Sequence, residues 1–380
     1  MSEKITESKV NEALARVEDP EIGRPLTELG MIKSVSITGD DVAVEIYLTI
    51  AGCPMKTTLV KNTEEVLKEI PGIGEVTVTT DVFTDEQRRE LKSKLRGPGG
   101  HDGVVPFTKP GNTTRVYAVA SGKGGVGKSS MTVNLAAALA KKGLSVGVLD
   151  ADIYGHSVPK MLGSGEAPHQ VDEMIMPPVA HGVKMISIGH FVEGNSPVIW
   201  RGPMLHRAIN QFLCDVFWGD LDVLLLDLPP GTGDVAITVA QLVPNAELLI
   251  VTTPQAAAAE VAERAGSICQ QTNQKIAGVI ENMGAMVMPD GQVVDVFGAG
   301  GGQSVADRLS ILTGVEIPLL GEVPLDPALR AGGDVGVPLV ISHPESPAAE
   351  EIGKIADKLV VRDKDDSLAG KSLNLGVTNP

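Results

Sequence analysis

Seven short, dominantly apolar runs are spaced through the chain after residue 112: Val116–Ala120, Ser145–Leu149, Lys184–Ile188, Val223–Leu226, Leu248–Val251, Ile276–Ile280 and Ile317–Val323. Segments with helical patterning lie between them. A strand that is apolar along its whole length has both faces buried, which is the condition of a strand in a parallel sheet between two layers of helices. The expected fold class is therefore α/β, with a mostly parallel sheet covered by helices on both faces over residues 113–360.

A smaller unit precedes it. Residues 1–96 read as α+β. A helix is expected over Thr6–Val17, with Val10, Ala13, Leu14 and Val17 on one face. Strands are expected at Ile32–Ile37 and Val42–Leu48, joined by the turn Thr38-Gly39-Asp40-Asp41. A helix over Met55–Ile70 ends at Pro71-Gly72, and a strand over Glu75–Thr79 follows. Residues 97–112 hold five Gly and three Pro, a composition that suits a linker. The polar stretch 361–380 reads as a flexible tail. A chain of 380 residues has room for both units.

Charge and composition exclude several classes of function. The formal net charge is −16, which disfavours binding to nucleic acid, because phosphate backbones are held by cations. Only 3% of residues are aromatic, too few for a base-stacking platform. Cys53, Cys214 and Cys269 are few, odd in number and far apart, so a disulfide framework is not expected. The first residues show no signal-peptide pattern, and no apolar stretch is long enough to span a membrane. A cytoplasmic protein without membrane contact is expected.

The chemistry concentrates in Gly122-Lys123-Gly124-Gly125-Val126-Gly127-Lys128-Ser129, which follows an apolar strand and precedes a helical run beginning at Ser130. Glycines let backbone amides turn inward and cradle phosphate oxygens at a helix N-terminus. Lys128 is placed to reach the β- and γ-phosphates, and the Ser129 hydroxyl to bind Mg²⁺. Gly122, Gly124 and Gly127 also fit a dinucleotide fingerprint, with Asp150 as the ribose ligand. That reading leaves the cation and hydroxyl of Lys128-Ser129 without a purpose, so a phosphate loop for a nucleoside triphosphate is preferred. The strand Leu224–Leu226 ends in Asp227, as expected for a second Mg²⁺ contact. The loop Leu228–Asp234 is placed to sense the γ-phosphate, and Asp152 to orient the attacking water. Lys123 is a second loop cation, or a lysine that merely faces solvent.

These stretches together resemble the Mrp/ApbC-type iron–sulfur carrier ATPases, a branch of the deviant phosphate-loop group that includes MinD and ParA. The resemblance is carried by Ser121–Ser129, Asp150–Gly155, Trp200–Leu205, Asp227–Asp234, Thr252–Gln255, Glu281–Met283 and Pro324–Pro327. Residues 13–80 are similar to the PaaD/SufT-type domain often fused in front, through Asp19–Gly23, Leu29–Ile32 and Thr49–Pro54. The resemblance implies a homodimer that hydrolyses ATP slowly and passes iron–sulfur clusters to apoprotein clients. It makes Lys123 the signature lysine that reaches the partner subunit's nucleotide. It also makes Asp152 the water-positioning residue and Asn282 an adenine contact.

One departure is chemical. Such carriers place a Cys-x-x-Cys pair after the Glu-Asn-Met motif, and two subunits supply four thiolates to a shared cluster. Here those positions fall on Met288 and Gly291. A thioether is a poor replacement for a thiolate on iron, and glycine has no side chain. Cys53, at a predicted helix start, is the remaining candidate for an iron–sulfur contact, with a lowered thiol pKa expected there. The competing reading is a buried core cysteine. Cys214 and Cys269 read as helix core, and Met283, Met286 and Met288 as packing or an adaptable dimer surface. The alternative function is a MinD/ParA-like positioning switch, or a regulatory scaffold, without a cluster.

Overall fold

The computed structural model describes residues 5–96, 104–153, 155–191, 202–231, 233–255, 264–267, 269, 272, 274–288 and 290–361. In the front unit, helix α1 (Glu7–Leu14) is capped by Thr6, whose side chain accepts the Lys9 amide. Its apolar stripe of Val10, Ala13 and Leu14 is buried. A short helix α2 (Leu26–Leu29) leads to β1 (Ile32–Thr38), β2 (Asp41–Leu48), α3 (Lys56–Lys68), β3 (Val76–Val82) and α4 (Asp85–Arg96). Strand β2 is central, antiparallel to β1 and parallel to β3. Along β2, Val42, Val44, Ile46 and Leu48 are buried while Asp41 and Ala43 are exposed, the period-two pattern of a sheet with one covered face.

The larger unit is built on an eight-stranded sheet: β4 (Arg115–Ala120), β5 (Val146–Asp150), β8 (Val179–Ala180), β9 (Val183–Ser187), β10 (Val223–Asp227), β11 (Glu247–Thr252), β12 (Ile276–Gly284) and β15 (Leu319–Pro324). Their spatial order is β15-β12-β11-β4-β10-β5-β9-β8, parallel throughout except for the edge pair β8–β9. All seven expected strands are present. Two small hairpins, β6 (His169–Val171) with β7 (Met174–Met176) and β13 (Met286–Val287) with β14 (Val293–Val294), were not expected; their strands are too short for a periodic signal.

One face of the sheet carries α5 (Lys128–Lys141) and the helix Pro347–Val361; the other carries α6 (Gly202–Asp215) and α7 (Asp234–Leu242). Helix α5 is buried almost all round, from Met131 to Leu139, because it lies between the sheet and neighbouring helices. The last helix is tied down at its end. The Leu359 carbonyl accepts from Tyr117 Oη at 2.8 Å and from Arg115 Nη1 at 2.9 Å.

The expected linker is partly structured. Residues 97–103 lie outside those described, but Val105 and Phe107 are buried in the core, and the Phe107 carbonyl accepts from Asn245 at 3.0 Å. The front unit shares a hydrophobic cluster with Val171, Met174 and Met176 of the β6–β7 hairpin and with Phe217. Ion pairs Lys92–Glu173 (2.8 Å) and Arg88–Asp172 (3.9 Å) edge this contact. A cavity of about 770 Å³ lies between the units, bounded by Arg24, Ser145, Lys184 and Asp220 among others. Ser145 and Lys184 stand where β5 and β9 begin, so this contact lies at the opposite end of the strands from the glycine-rich loop.

Candidate functional site

The glycine-rich loop leaves β4 at Ala120 and enters α5 at Lys128. Gly125 and Gly127 adopt left-handed φ values of 79° and 80°. At Gly127 a side chain is excluded twice, since a Cβ would also run into Asn282 Nδ2. Asn282 lies at the end of β12, is 2% exposed, and donates from Nδ2 to the Val126 carbonyl at 2.9 Å. Its Oδ1 is buried and has no hydrogen-bond partner among the described residues.

Three carboxylates line the neighbouring strand ends. Register sets Asp227 on β10 beside Asp150 on β5. Asp227 is fully buried and gathers the cations and hydroxyls of α5. Lys128 Nζ lies 2.8 Å from its Oδ1, Ser129 Oγ donates to its Oδ2 at 2.6 Å, and Thr132 Oγ1 donates to its Oδ1 at 2.8 Å. Asp152 Oδ2 is 3.7 Å from Lys128 Nζ. Burial, reinforced by the Asp227 carboxylate, pushes the Asp150 carboxyl well above the usual range. Thr132 was missed from sequence because a threonine in a buried helix face carries no motif. The loop after β10 is anchored to the glycine loop by the Gly231 amide, which donates to the Ser121 carbonyl at 2.9 Å.

Among the remaining sequence candidates, Gly122 accepts through its carbonyl from Arg264 at 2.6 Å. Gly124 faces Pro230, and Ser130 stands in the first turn of α5, where its carbonyl accepts from Asn134. Lys123 Nζ donates to Gln255 Oε1 of its own chain at 2.8 Å. Tyr154, Trp200, Arg201 and Thr232 of the resembling motifs lie outside the described residues.

The arrangement can do definite chemistry. A glycine-rich turn with two left-handed residues, a buried lysine and a hydroxyl–carboxylate pair converge at the N-terminus of α5, the combination that holds a polyphosphate and a hard divalent cation. Comparison with known proteins agrees with this geometry. A family model described as NUBPL iron-transfer P-loop NTPase matches residues 112–360. This chain belongs to that family. A second model, described as iron–sulfur cluster assembly protein, matches residues 7–79. An iron–sulfur cluster carrier protein from Mycobacterium bovis is 62% identical over 371 residues, covering 97% of this chain and 96% of that one. A protein of the same name from Synechocystis is 41% identical, covering 93% and 97%. A solved structure of a nucleotide-binding protein from Archaeoglobus fulgidus, in complex with ADP, is 35% identical with a TM-score of 0.53. It covers 62% of this chain and 90% of its own.

Met288 is 37% exposed in the β13–β14 hairpin, and Gly291 is in the turn with φ 84°. Among the described residues no group of three or more Cys, His, Asp or Glu side chains is gathered to hold a metal ion. Cys53 is 7% exposed, and burial, followed by the charge of Glu21, pushes its thiol up to about 11. The expectation of a lowered pKa is thus corrected. One backbone amide, that of Met55, favours the thiolate, but desolvation and nearby acids outweigh it. Asp19 Oδ1 accepts the amides of Glu21 and Ile22, both at 2.9 Å. Burial raises the Glu21 carboxyl to about 8, and its Oε2 lies 3.6 Å from His169 Nε2 of the larger unit. Cys269 is buried, with its thiol also raised to about 11, and Cys214 donates to Asn210 at 3.7 Å.

No helix among the described residues is long and apolar enough to cross a membrane. The apolar side of the final helix is spent on the core: Ile352, Ile355, Ala356 and Leu359 are at most 1% exposed.

Proposed function

We propose that this chain is a cytoplasmic, ATP-binding and ATP-hydrolysing iron–sulfur cluster carrier that passes clusters to apoprotein clients. The observation that supports it most is the convergence of Lys128, Ser129 and Asp227 within 2.6–2.8 Å in a chain of the iron-transfer family. The oxygens of Ser129 and Asp227 are hard donors and suit Mg²⁺, which they would hold together. Bound there, Mg²⁺ supplies charge neutralisation to the β- and γ-phosphate oxygens. The amides of Gly124–Ser129 bind the phosphates, and Lys128 exchanges its Asp227 partner for phosphate oxygen. Asp152 orients the attacking water. The orphaned Oδ1 of Asn282 can accept from a donor such as the exocyclic amine of adenine. Lys123 is the one loop cation with a side chain outside the buried cluster, which suits contact with the nucleotide of a second subunit in a homodimer.

The cluster is cargo, and its ligands here differ from a Cys-x-x-Cys pair; Cys53 is the thiol proposed to contact it. Two measurements test the reading. Phosphate release should be seen with wild type and be absent with Lys128→Ala. Anaerobic loading should give iron and sulfide in wild type and less in Cys53→Ser. A protein that takes up no cluster, under conditions where a Cys-x-x-Cys relative loads, would leave only the ATPase.

A further inference from the structure

Asp150 is the peg of the loop that carries Asp152. It is fully buried at the end of β5. Its Oδ1 accepts the Asp152 amide at 3.1 Å, and its Oδ2 accepts the Val158 amide at 3.3 Å. Those two amides stand at the two ends of the loop, so one carboxylate fixes both. The third donor comes from another strand. Ser187 ends β9, is paired in register with Asp150, and donates from Oγ to Asp150 Oδ2 at 3.0 Å. Ser187 is itself fully buried, and its Oγ accepts the Gly189 amide at 3.0 Å.

One residue between the pegged ends is held in a rare conformation. His156 has φ 26°, a conformation that side chains rarely adopt, and its amide donates to the Asp152 carbonyl at 2.8 Å. Gly155 donates to Asp152 Oδ1 at 3.0 Å, which turns the other carboxylate oxygen towards Lys128. Strained local geometry persists only where its surroundings over-determine it. Without Ser187 the buried Asp150 Oδ2 keeps only the longer Val158 contact at 3.3 Å, so the hold on the loop rests on an under-satisfied oxygen.

We propose that Ser187 is a positioning residue for the nucleotide site: through Asp150 it holds the 151–158 loop, and with it the aim of the Asp152 carboxylate. Ser187 has no hydrogen bond to the glycine-rich loop, to Lys128 or to Asp227, so it acts on the orientation of Asp152 and not on nucleotide binding. The consequence for turnover rests on the ATP-hydrolysis reading above; the hold on the loop does not.

The test compares wild type, Ser187→Ala and Ser187→Thr in the full chain. Hydrogen exchange is followed in a peptide spanning 150–160, with peptides from β4 and β10 as internal reference. Steady-state ATP turnover is measured alongside. In Ser187→Ala, exchange at 150–160 should rise about tenfold or more while the reference peptides stay unchanged. kcat should fall about ten- to a hundredfold with KM within about twofold, the signature of a misaimed group. Ser187→Thr keeps the hydroxyl and should restore both. Unchanged exchange at 150–160 in Ser187→Ala overturns the proposal. So does exchange that rises everywhere and is not rescued by threonine, which marks a purely structural residue. Altered exchange with unaltered turnover overturns the catalytic half. Should wild type show no turnover, the ATPase reading falls, and the exchange data still decide whether Ser187 holds the loop.

Discussion

Lys128 Nζ and Asp227 Oδ1 are 2.8 Å apart, with Lys128 6% exposed and Asp227 not exposed at all. The lysine of the glycine-rich loop is therefore spoken for before any phosphate arrives. A lysine whose charge served phosphate alone could be replaced by alanine with loss of turnover and no loss of fold. The structure revises that. Removing one partner of a buried pair strands the other, at a cost of about 3–5 kcal/mol. Lys128→Ala should abolish ATP turnover and also lower the nucleotide-free urea midpoint. Lys128→Ala with Asp227→Asn should recover much of that stability without recovering turnover. Equal midpoints for wild type and Lys128→Ala would show that Asp227 does not depend on the lysine.

Seven of the sheet's eight strands were legible because their runs are dominantly apolar, as in Leu224-Leu225-Leu226, while the edge strand β8 has only two residues and shows no pattern. The glycine loop was legible because Gly127 needs both a left-handed φ and an absent side chain. What the sequence hid is tertiary. Ser187 and Thr132 act by meeting carboxylates from other strands, and a lone hydroxyl in an apolar run carries no spacing to mark it. The lowered pKa expected of Cys53 fails for the same reason, while its competing reading as a buried cysteine matches its 7% exposure. The helix start that should activate it was visible, while the burial and the charges of Glu21, Asp19 and Glu166 that suppress it depend on tertiary packing. The Gly- and Pro-rich composition around 97–112 reads as a linker and gives no sign that Phe107 anchors in the core.

Lys123 is the opposite case to Lys128. Its one described partner is Gln255, reached at 2.8 Å through a hydrogen bond near the surface. Losing such a bond costs about 1 kcal/mol or less. Lys123→Ala should leave the melting temperature nearly unchanged and ATP affinity within a few fold, by calorimetric titration. Turnover, or nucleotide-dependent dimerisation seen by light scattering, should fall by orders of magnitude, as for a cation supplied to a transferring phosphoryl group. A variant that no longer binds ATP would place Lys123 in its own loop's binding set instead.

Glu21 makes the contact between the units sensitive to pH. Burial, with help from Asp19 and Glu166, raises its carboxyl from 4.5 to about 8, against the opposing pull of Lys184. The folded form thus holds a proton that an exposed Glu21 gives up. Its contribution is complete below pH 4.5 and is lost as pH climbs through 8, at no more than about 1.4 kcal/mol per pH unit. Asp19 is raised in the same sense, while burial lowers His169 and Lys184, whose contributions run the other way. The clean measurement is therefore a difference. Glu21→Gln is neutral at every pH, so its stability relative to wild type should improve steadily between about pH 5 and pH 8 in urea titrations. A difference that does not change with pH would mean that Glu21 is ionised where it sits.

Cys53 shares a hydrophobic cluster with Val171, Met174 and Met176 of the larger unit, and feels the charge of Glu166 from the same side. At 7% exposure and a thiol pKa near 11, it presents almost no thiolate at neutral pH. Iodoacetamide at pH 7.5, read by peptide mass spectrometry, should label Cys53 at least about a hundredfold more slowly than in the urea-unfolded chain, since each unit of pKa removes about a factor of ten in thiolate. Met174→Asp places a carboxylate in the shared cluster and should loosen the contact between units, because an unpaired buried charge is costly. Labelling of Cys53 should then quicken at least about tenfold, while Cys269, buried elsewhere in the core, stays slow. If Cys53 keeps its slow rate in Met174→Asp while hydrogen exchange shows the β6–β7 hairpin released, its burial is owed to the front unit alone. Opening the contact would then not be what makes this thiol available to iron.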